Sequence, residues 1–432
     1  MSKIIIISKI ILTLAFLNIF AWTIFHVHTG GKRLGVFTDT LKKFSMFPTL
    51  AVSAFKEISS PERLIKTDPY FESFNALSYD VFALSASFES SKWVIRLTNL
   101  ADDSTVLKWH LDEKKYLNTG RVFSHAEPRL PILLADSSLI VHHDESNNLF
   151  RLDANSEIMW HNTKHQFHHA IHPDNQRHIW ACTREYVQSS RHNFEYWDNY
   201  LTKVDVDDGK VLYHQSLTEI LNDNNLSYLI HGCGNAVPRS GFDPLHLNEV
   251  QPVLSNGTYW NEGDVFISLR HRSLILLYRP STHKIMRIIH GPFFNQHDVN
   301  ILSDSTLSLF NNNVSSLQKN ENTPKQDDQE FDLLPGPTLN QRAEVLIYNL
   351  NDSSFSTLYP ERFAEHRIFT ETQGLHHILS NGDVFVESQN EGKIYIFNKD
   401  KTLLKKYFHQ PVNRHTARTH WIRIYENLDF LN

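Results

Sequence analysis

The chain has 432 residues, 41% hydrophobic and 12% aromatic, enough to bury a large core in one big domain or two smaller ones. A formal charge of −6 leaves no basic excess, which argues against nucleic acid or an anionic membrane surface as a partner of the folded body. The 26 histidines are the one oddity; no single site uses so many, so chemistry is to be sought where they cluster.

The first element is apolar. Ile10 to Phe25, "IILTLAFLNIFAWTIF", carries no charge, and Ile4 to Ile7 extend it across Lys9, whose ammonium can snorkel to the headgroups. "FAWTIFHVHTGG" offers no small-x-small cleavage pair, so residues 1–30 read as an uncleaved signal anchor, a transmembrane segment rather than a secretory leader. Lys3 and Lys9 on one side oppose Lys32, Arg33, Lys42 and Lys43 on the other, so charge alone does not set the orientation. The expectation is an exported body, on the periplasmic or extracellular side. There, Cys182 and Cys233 form either one disulfide or two free buried thiols, and Asn225, Asn256, Asn313 and Asn351 open N-x-[ST] sequons. Residues 31–77 read as a linker leading into the body.

From residue 78 to 432 the sequence repeats. Units begin near Tyr79 ("YDVFALSASFESSKWVIRLTNL"), Asp136 ("DSSLIVHHDESNNLFRLDANSEIMWHN"), Arg177, Glu262 ("EGDVFISLRHRSLILLYRP"), Asp304 with Ala343 ("AEVLIYNLNDSSFSTLYP"), and Asn381. Each has a polar turn, a short apolar strand, a gap, a second strand ending in Asp or Asn, a turn and a third strand. Six short all-β units without helical period predict a six-bladed β-propeller, with "HTARTHWIRIYENL" as a closing strand. A large sandwich is the competing architecture, but it does not require one motif to recur six times. Residues 315–341 are polar and poor in apolar residues, and read as a loop inserted in the fifth blade.

Four histidine-bearing segments precede units three to six: "HQFHHAIHPDNQ", "DPLHLNEVQPVLSNG", "NQHDVNILSDS" and "QGLHHILSNGD". The first strand of each propeller blade lines the central channel, so residues where these strands begin converge on one end of the axis. Each histidine taken singly is explained as a hydrogen-bonded residue at a blade junction. Three or four at one structural place, with Arg270 leaving an adjacent strand, favour a site, with His297 at the channel mouth.

The successive segments "LDANSEIMWHNTKHQFHHAIHPD", "DPLHLNEVQPV", "GDVFISLRHRSLILLY" and "HGPFFNQHDVNILSDSTLSLFNN" resemble the bacterial arylsulfotransferase family and its uncharacterised relatives. The resemblance covers Leu149 to Asn313 and continues weakly to Phe408. It implies a six-bladed propeller that transfers a sulfuryl group from an aryl sulfate donor to a phenolic acceptor through a histidine, with neither a nucleotide sulfate donor nor any other cofactor. It also implies roles: His297, after Gln296, as the sulfated histidine; His246, with Asn248, and Arg270 as groups holding charge; and His168 or His169 as a further site histidine. Asn248 and Gln296 are then substrate-binding. Two features depart from the family: the stretch before residue 78 is short for the separate N-terminal β domain some members carry, and Gly374 stands in the sixth unit where the fifth has His297.

The chemistry fits these residue types. A neutral imidazole offers a lone pair to sulfur, a guanidinium grips two sulfuryl oxygens, and a second imidazole can move the phenol proton. No metal is required. The alternatives are a membrane-anchored binding or scaffolding propeller without turnover, and a metalloenzyme using His165, His168, His169 and His172, which lack carboxylate ligands in a recognised spacing.

Overall fold

The computed structural model describes residues 12–23, 64–66, 72–89, 92–111, 127–189, 194–231, 243–314, 342–408, 415–417 and 421–431. The 315–341 insertion, Cys233 and most of the expected linker lie outside them, whereas Cys182 is described and buried.

Residues 12–23 form a helix whose large apolar side chains, from Leu12 to Trp22, are exposed. Asn18 and Thr23 donate to carbonyls of their own helix, those of Leu14 and Ile19, at 3.0 and 2.8 Å. At 1.5 Å per residue this helix covers about 18 Å, against roughly 30 Å of bilayer hydrocarbon. Among the described residues, no helix is long and apolar enough to cross a membrane.

Among the described residues, the unit from Ile65 onward is the expected all-β, six-bladed propeller: its blades are five four-stranded sheets and one of five strands, all antiparallel, and Leu64–Lys66 pairs with His415–Ala417 outside them. The innermost strands are, in blade order, Arg423–Tyr425, Pro128–Leu133, Gln166–Pro173, Leu247–Pro252, His297–Ile301 and Leu375–Ile378. The histidine segments ahead of the repeats are therefore not leads into three-stranded units; four of them supply the fourth, channel-lining strands. Second strands such as Val265–Leu269 and Val384–Ser388 are buried along their whole length because both faces pack between neighbouring blades. The outer strands alternate, as Lys284–Ile289 does, because one face meets water. Asp residues close the turns: Asp153 Oδ1 accepts from the backbone N–H of Asn155 and Glu157, and Asp174 Oδ1 from those of Gln176 and His178.

The ring is closed at both ends of the chain. Arg423–Tyr425 adds to the first blade in register Arg423↔Leu84, and Phe74–Asn75 adds to the last as Phe74↔Lys406. Each closure hides a strand edge, and the first brings Trp421 and Arg423 to the channel. The expectation of an all-β body without helical period missed three short helices among the described residues: Leu217–Asp223, capped by Ser216 Oγ accepting from the Glu219 N–H, Tyr228–His231 and Pro360–Glu365.

One irregularity recurs where the site lies. Leu130, His169, Asp298 and Trp421 all adopt left-handed backbone, at φ of 42°, 58°, 55° and 52°, and in blades two, three and five the ladder breaks there. Such conformations cost bulky residues roughly 1–3 kcal/mol each and persist only where the surroundings enforce them. The resulting bulges re-aim the flanking side chains across the channel. Blade six uses Gly374 instead, at φ 97°; a Cβ there would lie 2.5 Å from the Phe310 ring.

Candidate functional site

The bulges bring His169, His246 and His297, from blades three, four and five, together. The His169 ring lies 4.8 Å from His246, 6.3 Å from His297 and 5.7 Å from Trp421, and His297 lies 6.1 Å from Trp421. The sequence left His168 and His169 as alternatives; His169 is the one facing the other two rings. His168 stands behind it, with the two Nδ1 atoms 2.9 Å apart.

His297 is the first residue of its strand and pairs with Phe310. Two residues past Phe310, the side-chain Oδ1 of Asn312 lies 2.6 Å from His297 Nδ1. Asn312 donates its amide hydrogens to the carbonyls of Thr370 and Gln373, at 2.9 and 2.6 Å. Its oxygen is thereby left to accept, so His297 carries its proton on Nδ1 and keeps a lone pair on Nε2. Burial, and next the Arg270 charge, hold this imidazole well below its usual pKa, so it is neutral at pH 7. One expectation is corrected here: His297 is not open at the channel mouth but only 1% exposed, because Trp421 and the neighbouring blades cover it. His246 and Arg270 are the half-buried members.

Arg270 ends the strand Val265–Leu269 and begins a 3₁₀ turn, where its N–H donates to the His246 carbonyl at 3.0 Å. This links the two residues along one blade. Its Nε is buried without a hydrogen-bond partner. His246 is positioned by Asp243, whose Oδ2 lies 3.0 Å from its Nδ1 and whose Oδ1 accepts from its backbone N–H. Burial pushes the Asp243 carboxyl up, but hydrogen bonds from His246 and Asn199 outweigh this and hold it well below the usual carboxylate range. His271 stacks on His246 at 4.3 Å.

Asn248 and Gln296, expected to contact substrate, engage the protein instead. Gln296 is fully buried and donates its amide to Ser268, Leu269 and Leu274, bracing blade four against blade five. Asn248, also fully buried, donates to the Gln296 carbonyl at 2.7 Å. Both fix the backbone just before His297.

Sequence reasoning missed Arg129, Asn312, Asp243 and Trp421. Arg129 occupies in blade two the position of His168 in blade three and His297 in blade five, each just before the left-handed residue. Its guanidinium lies 5.7 Å over Trp421 and pairs with Asp144 at 3.0 Å, while its Nε is buried without a partner. The charges of Arg129 and of the neighbouring histidines help burial to keep His169 and His297 neutral. The available signal is "EPRLPIL" at the register of "QFHHAIH", where an arginine stands in place of the histidine.

A second polar layer lies farther along the same strands. His172 pairs with Glu249, and His376 places Nδ1 2.7 Å from Asp298 Oδ2 and Nε2 2.7 Å from Ser308 Oγ. Arg423 donates to the carbonyls of Pro131 and Ile171 at 2.8 and 2.7 Å. The four-histidine metal cluster considered from sequence does not form: His165 leaves the channel, His168 faces His169, and His172 binds Glu249.

A sequence profile described as arylsulfotransferase (ASST) matches residues 130–409. No curated protein matches the chain. Among solved structures, a protein of unknown function from Bacteroides caccae covers 81% of this chain and all of its own, at 8% identity and TM-score 0.49. A catalytically inactive virginiamycin B lyase from Staphylococcus aureus covers 77% of this chain and 87% of its own, at 10% identity and TM-score 0.39. A functionally unknown protein from Desulfotomaculum acetoxidans covers 80% and 99%, at 8% identity and TM-score 0.41.

Proposed function

The chain belongs to the arylsulfotransferase family, and from that premise we propose that it moves a sulfuryl group from an aryl sulfate to a phenolic acceptor through His297. The observation that carries the reading is the Asn312 contact, which leaves Nε2 of a neutral imidazole with a free lone pair. That lone pair forms the N–S bond as the bond from sulfur to the aryl oxygen breaks. The ring becomes cationic as the N–S bond forms, so the Nδ1–H bond to Asn312 strengthens in the transition state.

The sulfuryl oxygens meet Arg270 and Arg129, each with a buried Nε that has no partner within the protein. Buried donors left unpaired are costly, and an anion between them would satisfy both. The departing phenolate, with a conjugate-acid pKa near 10, takes a proton from Nε2 of His246, whose other nitrogen Asp243 holds. The same nitrogen then removes the proton of the incoming phenol, and the sulfuryl group passes to its oxygen. His169, held neutral, adds a hydrogen bond rather than a proton. Burial of His297 keeps water from the adduct between the two halves. The test is a chromogenic aryl sulfate assay on the purified chain, with phenol release by wild type and none by His297→Asn supporting the reading.

We further propose that the apolar stretch around the exposed helix at residues 12–23 tethers the protein to a membrane, with its body outside the cytoplasm. Protein that stays with membranes through alkaline carbonate washing agrees; protein released by it does not.

A further inference from the structure

Blade three gathers a second group of ligand-type side chains away from the channel cluster. His165 precedes the innermost strand Gln166–Pro173, Glu185 lies on the second strand His178–Ser189, and His214 on the outer strand Val211–Ser216. The pairing Gln166↔Arg184 sets His165 next to Glu185, and Thr202↔His214 brings the outer strand across the same face. One atom from each converges: His165 Nδ1 lies 3.5 Å and His214 Nε2 3.3 Å from Glu185 Oε1, and all three lie within 4.8 Å of one another.

The two separations from Glu185 match the edges of a coordination shell. Ligands about 2.0–2.1 Å from a tetrahedral zinc ion are roughly 3.3 Å apart along each edge. His165 Nδ1 is buried, yet makes no hydrogen bond to any protein group. His214 has its other nitrogen, Nδ1, 2.9 Å from Thr202 Oγ1, which is itself 2.6 Å from Thr183 Oγ1. A hydroxyl behind the ring fixes its orientation, as outer-shell groups do for metal-binding histidines. Tyr200 stacks on His214 at 4.4 Å and restrains it further. Glu185, with 47% of its side chain exposed, leaves a way in for the ion.

We propose that His165, Glu185 and His214 bind one divalent transition-metal ion of the zinc class, with water at the fourth position. Two imidazoles and a carboxylate suit zinc better than magnesium or calcium, which prefer oxygen. The ion ties the start of the strand carrying His168 and His169 to the second and outer strands of the blade. It takes no part in sulfuryl transfer, so this inference stands apart from the proposed reaction.

The untagged full-length chain, stripped with EDTA and titrated with zinc sulfate in a calorimeter, tests it. One equivalent of zinc is expected, with a rise in melting temperature and, for cobalt(II), the intense visible bands of four-coordinate geometry. Glu185→Gln keeps the side-chain shape and should weaken zinc binding at least about tenfold, and the double variant His165→Ala/His214→Ala should lose the stoichiometric ion. Zinc binding that survives in the double variant, or wild-type protein that takes up no stoichiometric zinc, overturns the proposal whether or not the protein transfers sulfuryl groups.

Discussion

Two layers of histidine line the same channel, and their partners differ. His376, in the farther layer, engages both ring nitrogens, one with Asp298 and the other with Ser308, and His172 sits against Glu249. In the nearer layer His297 engages Nδ1 alone, and its surroundings are two arginines and two other imidazoles rather than a carboxylate. A histidine with both nitrogens committed is a brace. One with a single nitrogen committed, its proton placed by that bond and its charge suppressed, is equipped to react. His246 lies between the two kinds: a carboxylate holds it, but only through one nitrogen.

The comparison breaks most sharply at His297. His297→Ala should lower turnover of an aryl sulfate by on the order of 10⁴-fold or more while the melting temperature changes little; substantial residual turnover would move the reacting group elsewhere. Next come the arginines. Arg270→Lys and Arg129→Lys keep a charge and lose the fork, and each should lower kcat/KM by about a hundredfold. A loss for Arg270→Lys alone would confine Arg129 to its pair with Asp144.

Asp243→Asn addresses the intermediate case. Turnover of unactivated aryl sulfates should fall roughly tenfold or more, and the loss should shrink for nitrophenyl sulfates, whose phenolates leave without a proton. An equal loss for both substrates would mean that His246 moves no proton.

In the farther layer, His376→Gln should destabilise the fold by about 3 kcal/mol, because it removes the imidazole from buried Asp298 and leaves its Oδ2 only the backbone N–H of residue 376. Denaturant titration measures this, and kcat/KM of the folded protein should be unchanged; a catalytic loss at unchanged stability would erase the distinction between the layers. The smallest effect concerns acid. His142 and His168 are buried, with pKa values pushed down to about 4 and about 3. Below the unfolded value near 6.5, the unfolded chain binds protons that these folded imidazoles refuse. Stability should therefore be full above that pH and decline as pH falls towards 4 and 3. The slope of melting temperature against pH should be shallower in His142→Gln.

Much of this was legible in the sequence. Strand period and Asp-closed turns revealed six repeats, and the resemblance pointed to His246, Arg270, His297 and one of His168 and His169; the structure brings His169 to His246 and His297. What stayed hidden depends on contacts made only when the ring closes. Trp421 reaches the channel from the far end of the chain because Arg423–Tyr425 completes the first blade. Asn312 matters because two carbonyls of the next blade take its amide hydrogens. Gln296 carried the motif, yet it faces the ends of blade-four strands. No spacing rule distinguishes a glutamine facing substrate from one facing backbone.

The central claim is that Nε2 of His297 carries the sulfuryl group. Wild-type protein mixed with an aryl sulfate and no acceptor, quenched and digested at alkaline pH to preserve the acid-labile N–S bond, should show by mass spectrometry one added sulfuryl group on the peptide containing Gln296-His297-Asp298, with a matching burst of phenol. An adduct on His168, His169 or His246, or phenol release without any adduct, would contradict the account. With neither burst nor adduct from any aryl sulfate, a binding propeller with structural histidines would take its place.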